Sequence, residues 1–176
     1  MDLVRLKADT EEYVASGFSR TTAFNKRSPQ MNYGRLALAA VAATVVDMAY
    51  GFAVYGNALA NQFGQHPGVY RPAADTSYMP FLMAGVFVAS LAASYIYAKG
   101  YEGHSGIQEG LRFGAVLGLF ALGYAGIVNY AVLNISAALG MSMAAAAFCE
   151  WLIVGTVIGL VYKPAMVAAP GRRVGV

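Results

Sequence analysis

The chain has 176 residues, 58% of them hydrophobic and only 12% charged, with a mean hydropathy of +0.51. Ordinary soluble domains carry roughly 25% charged residues, so this deficit excludes a conventional water-soluble globule and marks an integral membrane protein. Twelve Lys and Arg against nine Asp and Glu leave a net charge of +3; the basic residues sit at the ends of apolar segments rather than along one groove, which excludes nucleic acid as a partner.

Residues 1–34 are polar. Thr10-Glu11-Glu12 reads as a helix start, with Tyr13, Val14 and Phe18 on one side of the helix that would follow. An interfacial or partner-docking helix and a loosely ordered cytoplasmic tail are the two readings of this segment. Ser28-Pro29 should interrupt any helix before the apolar part begins.

A hydrocarbon core of roughly 30 Å takes about 20 apolar residues as helix. Four stretches reach that length, at 36–57, 79–98, 110–133 and 139–162, within a transmembrane domain of residues 35–163. The fold class that follows is an all-α integral membrane protein, a four-helix transmembrane bundle. Ala58-Leu59-Ala60 imitates a secretory cleavage site, but the run before it exceeds the usual signal core of roughly 7–15 residues, so the first span is expected to stay. The connection from Ala58 to Tyr78 carries Asn61, Gln62, Gln65, His66, Pro67, Arg71, Pro72 and Asp75, too polar for lipid, and is expected to be an aqueous loop. Lys99 to Gly106 reads as a tight polar turn, and Asn134 to Ala138 is short enough to force an antiparallel hairpin.

Orientation follows from the distribution of Lys and Arg, which in short loops favours the cytoplasmic side. Arg5, Lys7, Arg20, Lys26, Arg27 and Arg35 precede the first span, Lys99 and Arg112 flank the second connection, and Lys163, Arg172 and Arg173 follow the last; Arg71 alone falls on the other side. Both termini, including the short basic tail 164–176, are thus expected in the cytoplasm, with a bacterial inner membrane the best fit to the basic flanks.

Lipid gives helices little hydrophobic reason to associate, so close packing relies on small residues. Gly110, Gly114 and Gly118 recur every four residues on the third span, extended by Gly126, and Gly155 and Gly159 repeat the spacing on the fourth. Ser90 with Ser94 and Ala89 with Ala93 do the same on the second. These stripes serve either the internal bundle or an oligomer.

Two acids interrupt the apolar runs. At 1.5 Å per residue, Asp47 lies about 16 Å from the start of the first span and Glu150 about 16 Å from the start of the fourth, entered from the opposite face. Both fall near the midplane with no basic residue at that depth, so at least one carboxyl is expected to hold a proton. Ionisable residues at such depth are functional candidates by default. The sharp reading is a proton- or cation-coupled site where the first and fourth spans face each other, with Thr44, Tyr50 and Cys149 nearby and Tyr55 as a further lining candidate. The plainer readings are a structural hydrogen bond, with one proton shared between the acids, and contact with another subunit or lipid headgroup. Asn129, nearer the outer surface, reads as interhelical glue. Trp151 is expected to be packed near the midplane, and Tyr33, Tyr70, Tyr78, Tyr97, Tyr101, Tyr130 and Tyr162 to anchor span ends at the interface.

Missing motifs bound the chemistry. Both histidines, His66 and His104, fall in loops, so no span offers a haem ligand. One cysteine forms no intrachain disulfide or dithiol pair, and there is no His-Glu-x-x-His and no phosphate-binding loop. Neither a cofactor nor a metal is expected, and catalysis is the least supported class. The leading expectation is a non-catalytic accessory or scaffold subunit that packs through its small-residue faces against other membrane subunits, or as a homo-oligomer, within membrane lipid. The alternative is a small proton- or cation-coupled transporter or channel built on Asp47 and Glu150.

Overall fold

The structure, a computed structural model, describes residues 29–72 and 74–166. The helix expected to start near Thr10 and the basic residues of the tail lie outside the described residues. Pro29–Gln30 (β1) pairs antiparallel with Ala165–Met166 (β2), Pro29 opposite Met166 and Gln30 opposite Ala165. This pair belongs to one unit, and Met31–Pro164 form a second.

All regular structure in Met31–Pro164 is helical. Four helices are long and apolar enough to cross a membrane: α1 (Tyr33–Ala58), α3 (Met79–Lys99), α4 (Gly106–Val132) and α5 (Ala137–Val161). A single-turn helix, α2 (Ala60–Gly64), lies in the first connection. Three of the long helices begin slightly before the apolar runs do, because capping rather than hydropathy sets the start. Asn32 accepts the Arg35 N–H at 3.1 Å, drawing Arg35 into the first turn of α1. Ser105 caps α4 at the Gln108 N–H and Ser136 caps α5 at the Leu139 N–H.

Two helices depart from α geometry near one end. Val54–Ala58 in α1 and Leu122–Val128 in α4 are π-helical. In α1 the Leu59 N–H bonds the Val54 carbonyl at 2.8 Å, and the Asn57 amide donates to the Phe52 carbonyl at 2.7 Å, so a side chain takes up one carbonyl that the widened turn releases. Such turns appear often at functional positions.

The helices pack in series, α3 on α1, α1 on α5 and α5 on α4, with slighter contact between α3 and α5. The α4–α5 seam is the tightest. A Cβ on Gly110 would stand 2.6 Å from the Gly155 carbonyl oxygen, and one on Gly155 would stand 2.5 Å from Gly114 Cα; Gly106 meets the Gly159 carbonyl, Gly114 that of Trp151, and Gly118 meets Phe148. Both glycine stripes are therefore spent against each other inside the chain, and the stripe begins one turn earlier than the sequence reading placed it, at Gly106. Gly126, within the π-helical segment, meets Ala144.

The core joins Leu36, Ala39 and Ala43 of α1 to Ala93 and Tyr97 of α3 and to Val154, Ile158 and Tyr162 at the end of α5, with Trp151 packed against it. Tyr97 and Tyr162 correct the expectation that the span-end tyrosines are interfacial anchors, since they are 4% and 1% exposed. Their rings pack edge-to-face at 6.0 Å, and Tyr97 meets Phe113 of α4 at 5.4 Å. Aromatic packing of this kind favours burial provided the hydroxyl finds a partner.

Candidate functional site

The central residues lie on α1 and α5, which run antiparallel. On α1, the buried stripe Leu36, Ala40, Ala43 continues at helical spacing through Asp47 and Tyr50. On α5, Ala146 and Glu150 fall one turn apart. The Tyr50 hydroxyl donates to the Ala146 carbonyl at 2.9 Å, and the Tyr55 hydroxyl donates to Glu150 Oε2, also at 2.9 Å. The two tyrosine rings meet edge-to-face at 6.3 Å. Asp47 and Glu150 are both half-buried, and their carboxyl groups lie near enough to act on each other electrostatically. The structure thus brings Asp47, Tyr50, Tyr55 and Glu150 into one cluster.

Tyr55 lies within the π-helical turn of α1. A residue in the last turn of a helix leans back toward the N-terminus, and here that lean carries the phenol from the far end of α1 down to Glu150.

The remaining sequence candidates separate. Thr44 turns its hydroxyl to the Ala40 carbonyl at 2.8 Å, as Thr156 does to the Leu152 carbonyl at 2.7 Å; hydroxyls that bond back along their own helix are satisfied locally. Cys149 is exposed, although its thiol lies close enough to Tyr50 to act on it electrostatically. Asn129 sits on α4 beyond the π-helical turn, half-buried, on a helix that packs against α5 rather than against α1.

A third carboxyl group, that of Glu109, was not singled out from the sequence. Glu109, in the first turn of α4, is 7% exposed. Its Oε2 accepts the Tyr97 hydroxyl at 3.0 Å, while Oε1 accepts the backbone N–H of Glu102 at 3.0 Å and of His104 at 2.9 Å. A buried carboxylate with three donors is well satisfied, and here it fastens the end of α3, the intervening turn and the start of α4 together.

The connection between α1 and α3 is folded against the start of α5. His66 bonds the Gln62 carbonyl through Nδ1 and accepts the Ser136 N–H on Nε2, both at 3.0 Å. Tyr70 stacks edge-to-face on Phe63 at 4.7 Å and reaches Met143 Sδ at 3.4 Å. Asp75 accepts from the Ser77 hydroxyl at 2.6 Å and from Arg71 at 2.8 Å; these bonds, that from Ser77 first, hold its carboxyl at about 2, below the ordinary 3.8.

The chain matches no protein-family model, no characterised protein and no solved structure.

Proposed function

We propose that this chain is a small integral membrane protein that binds and passes a proton at the carboxyl pair Asp47 and Glu150. The observation that carries the reading is that Glu150 of α5, bonded to Tyr55, stands near enough to Asp47 of α1 for the two carboxyls to act on each other, from segments about a hundred residues apart in sequence. Two nearby carboxyls in an apolar bundle are unfavourable unless one holds a proton, and a site of that kind can gain or lose it at modest cost. A divalent cation fits the cluster less well, since two carboxyls and phenols fall short of the six to eight oxygens that calcium takes.

The chain is read as inserted by its four long apolar helices, whose outward faces carry Phe81, Val88, Phe120 and Met141; such continuous apolar surface suits lipid and not water. Arg35, Lys99, Arg112 and Lys163 gather at the end where α1 begins and α5 finishes, and Arg71 at the other end is paired with Asp75. That asymmetry supports a cytoplasmic position for both termini, in a bacterial inner membrane.

The accessory-subunit reading keeps its support from small size and short connections. Its docking faces were to be the glycine stripes, and these are occupied within the chain by α4 and α5. Proton passage is therefore the better supported of the two. The test is the full chain in liposomes under an imposed pH gradient with a lumenal pH dye. Flux above protein-free liposomes that falls at least tenfold in both Asp47→Asn and Glu150→Gln supports the reading; flux indifferent to both substitutions rejects it.

A further inference from the structure

Among the described residues, Ser90 and Ser94 of α3 are both fully buried, at 0% exposure, and neither hydroxyl has a hydrogen-bond partner. Buried polar atoms almost always find one, in protein or in ordered water. An orphaned buried hydroxyl is destabilising, and alanine would fill either position without that cost. Two such groups on consecutive turns of one helix face therefore call for an explanation beyond packing.

Their neighbours supply it. Ser90, Ser94 and Tyr97 follow the spacing four and then three, which places them on one face of α3. Along the helix axis they are separated by about 6 Å and then about 4.5 Å, gaps that one water molecule can bridge. Toward the helix end the file meets Tyr97, whose hydroxyl already donates to Glu109 at 3.0 Å; Glu109 in turn is held by the turn that contains Glu102 and His104. Toward the middle, Ala93 shares a core with Ala43. One turn farther along α1 from Ala43 is Asp47, and one turn farther along α3 from Ala93 is Ser90. The two helices that pack together thus bring the inner end of the file toward the carboxyl pair.

We propose that Ser90, Ser94 and Tyr97 form the path by which a proton moves between Glu109, at the end of the bundle, and Asp47, at its middle. The proposal rests on the proton-binding reading of Asp47 and Glu150. A hydroxyl both donates and accepts, so each can take a proton on its oxygen while releasing its own through the bridging water. In the direction set by the Tyr97 hydrogen bond, the sum is one proton lost by the Asp47 carboxyl and one gained by the Glu109 carboxylate, each hydroxyl ending with its one hydrogen turned toward Glu109 and turning back before the next transfer. The titratable groups that act on the inner end are Glu150, Tyr50, Tyr55 and Cys149. Those at the outer end are Tyr97, Tyr101 and His104.

The experiment compares the full-length chain, S90A/S94A, Y97F and D47N/E150Q in liposomes under a potassium diffusion potential with a lumenal pH dye, alongside thermal unfolding of each in detergent. The expected result is flux at least tenfold slower in S90A/S94A and in Y97F, with S90A/S94A as stable as the parent or more so, which a purely structural role for the hydroxyls would not produce. Parental flux in S90A/S94A, with D47N/E150Q inactive, overturns the path and leaves the carboxyl site standing. Flux that survives D47N/E150Q overturns the carboxyl site itself, and a parent chain no faster than empty liposomes overturns both.

Discussion

Tyr55 donates its phenolic hydrogen to Glu150 Oε2 at 2.9 Å across the α1–α5 seam, tying the π-helical end of one helix to the middle of another. Within the same cluster, Tyr50 bonds the Ala146 carbonyl at 2.9 Å, so two tyrosines of α1 grip successive turns of α5.

The Tyr55–Glu150 bond should appear as an energetic coupling. A double-mutant cycle with Y55F, E150Q and the pair, followed by reversible unfolding in detergent or bicelles, is expected to give about 0.5–1.5 kcal/mol, the range of interhelical hydrogen bonds in membrane proteins. Additive effects would show that the two groups do not act together.

The glycine seam predicts a contrast between positions of the same residue type. G155A puts a methyl group 2.5 Å from Gly114 Cα, so the helices must separate, whereas a Cβ on Gly85 meets nothing within 4 Å. G155A is expected to lower stability by about 1–3 kcal/mol, as overpacking does. G85A should be neutral or stabilising, because alanine is the better helix former. Equal effects on the unfolding midpoint would contradict the close α4–α5 packing.

Glu109 should matter for stability through its donors. In E109Q the amide nitrogen cannot accept the hydrogen bonds that a carboxylate oxygen accepts, leaving buried N–H or O–H groups unpaired. A loss of about 2–3 kcal/mol is expected, against about 1 kcal/mol for Y97F. Hydrogen exchange at the Glu102 and His104 amides checks the cause, since both should lose protection in E109A, which removes both acceptor oxygens, and keep it in Y97F.

The Asp75 carboxyl, held at about 2 against an ordinary 3.8, links the first connection to pH. A depressed carboxyl contributes stability that is present above the ordinary value and is lost as pH falls through the folded one. The ordered loop should therefore hold at pH 5 and loosen between about 4 and 2. Carbon-13 NMR of the Asp75 side chain checks this, with the midpoint near 2 in the parent and displaced toward 3.8 in S77A. A parent midpoint at 3.8 would mean that the Ser77 and Arg71 bonds do not persist.

The four long apolar helices were legible because hydropathy and length decide them, and the early starts of α1 and α4 were visible in Asn32 and Ser105 once capping is considered. The mid-helix positions of Asp47 and Glu150 followed from counting residues. Their meeting did not, because the register of α1 on α5 is set by packing between segments about a hundred residues apart, which no local pattern carries. Tyr55 was legible only as a lining candidate, since its bond to Glu150 joins segments 95 residues apart, and the π-helical turn that holds it left no more trace in the sequence than Gly56-Asn57. Glu109 drew no reading from the sequence. The signal that could have found it is its place beside Gly110, on the side of α4 that the glycine stripe turns inward. Thr44 was a fair candidate by position, but its hydroxyl is claimed by its own helix.

The most direct test of a shared carboxyl site is infrared difference spectroscopy of the full chain in lipid nanodiscs, following the carbonyl stretch of protonated carboxyl groups across a pH step in light and heavy water. A protonated-carboxyl band that responds to the step, is lost in E150Q and is displaced in both D47N and Y55F is expected if Asp47, Glu150 and Tyr55 form one site. A band that E150Q leaves in place, or that D47N leaves at its parental position, would contradict it.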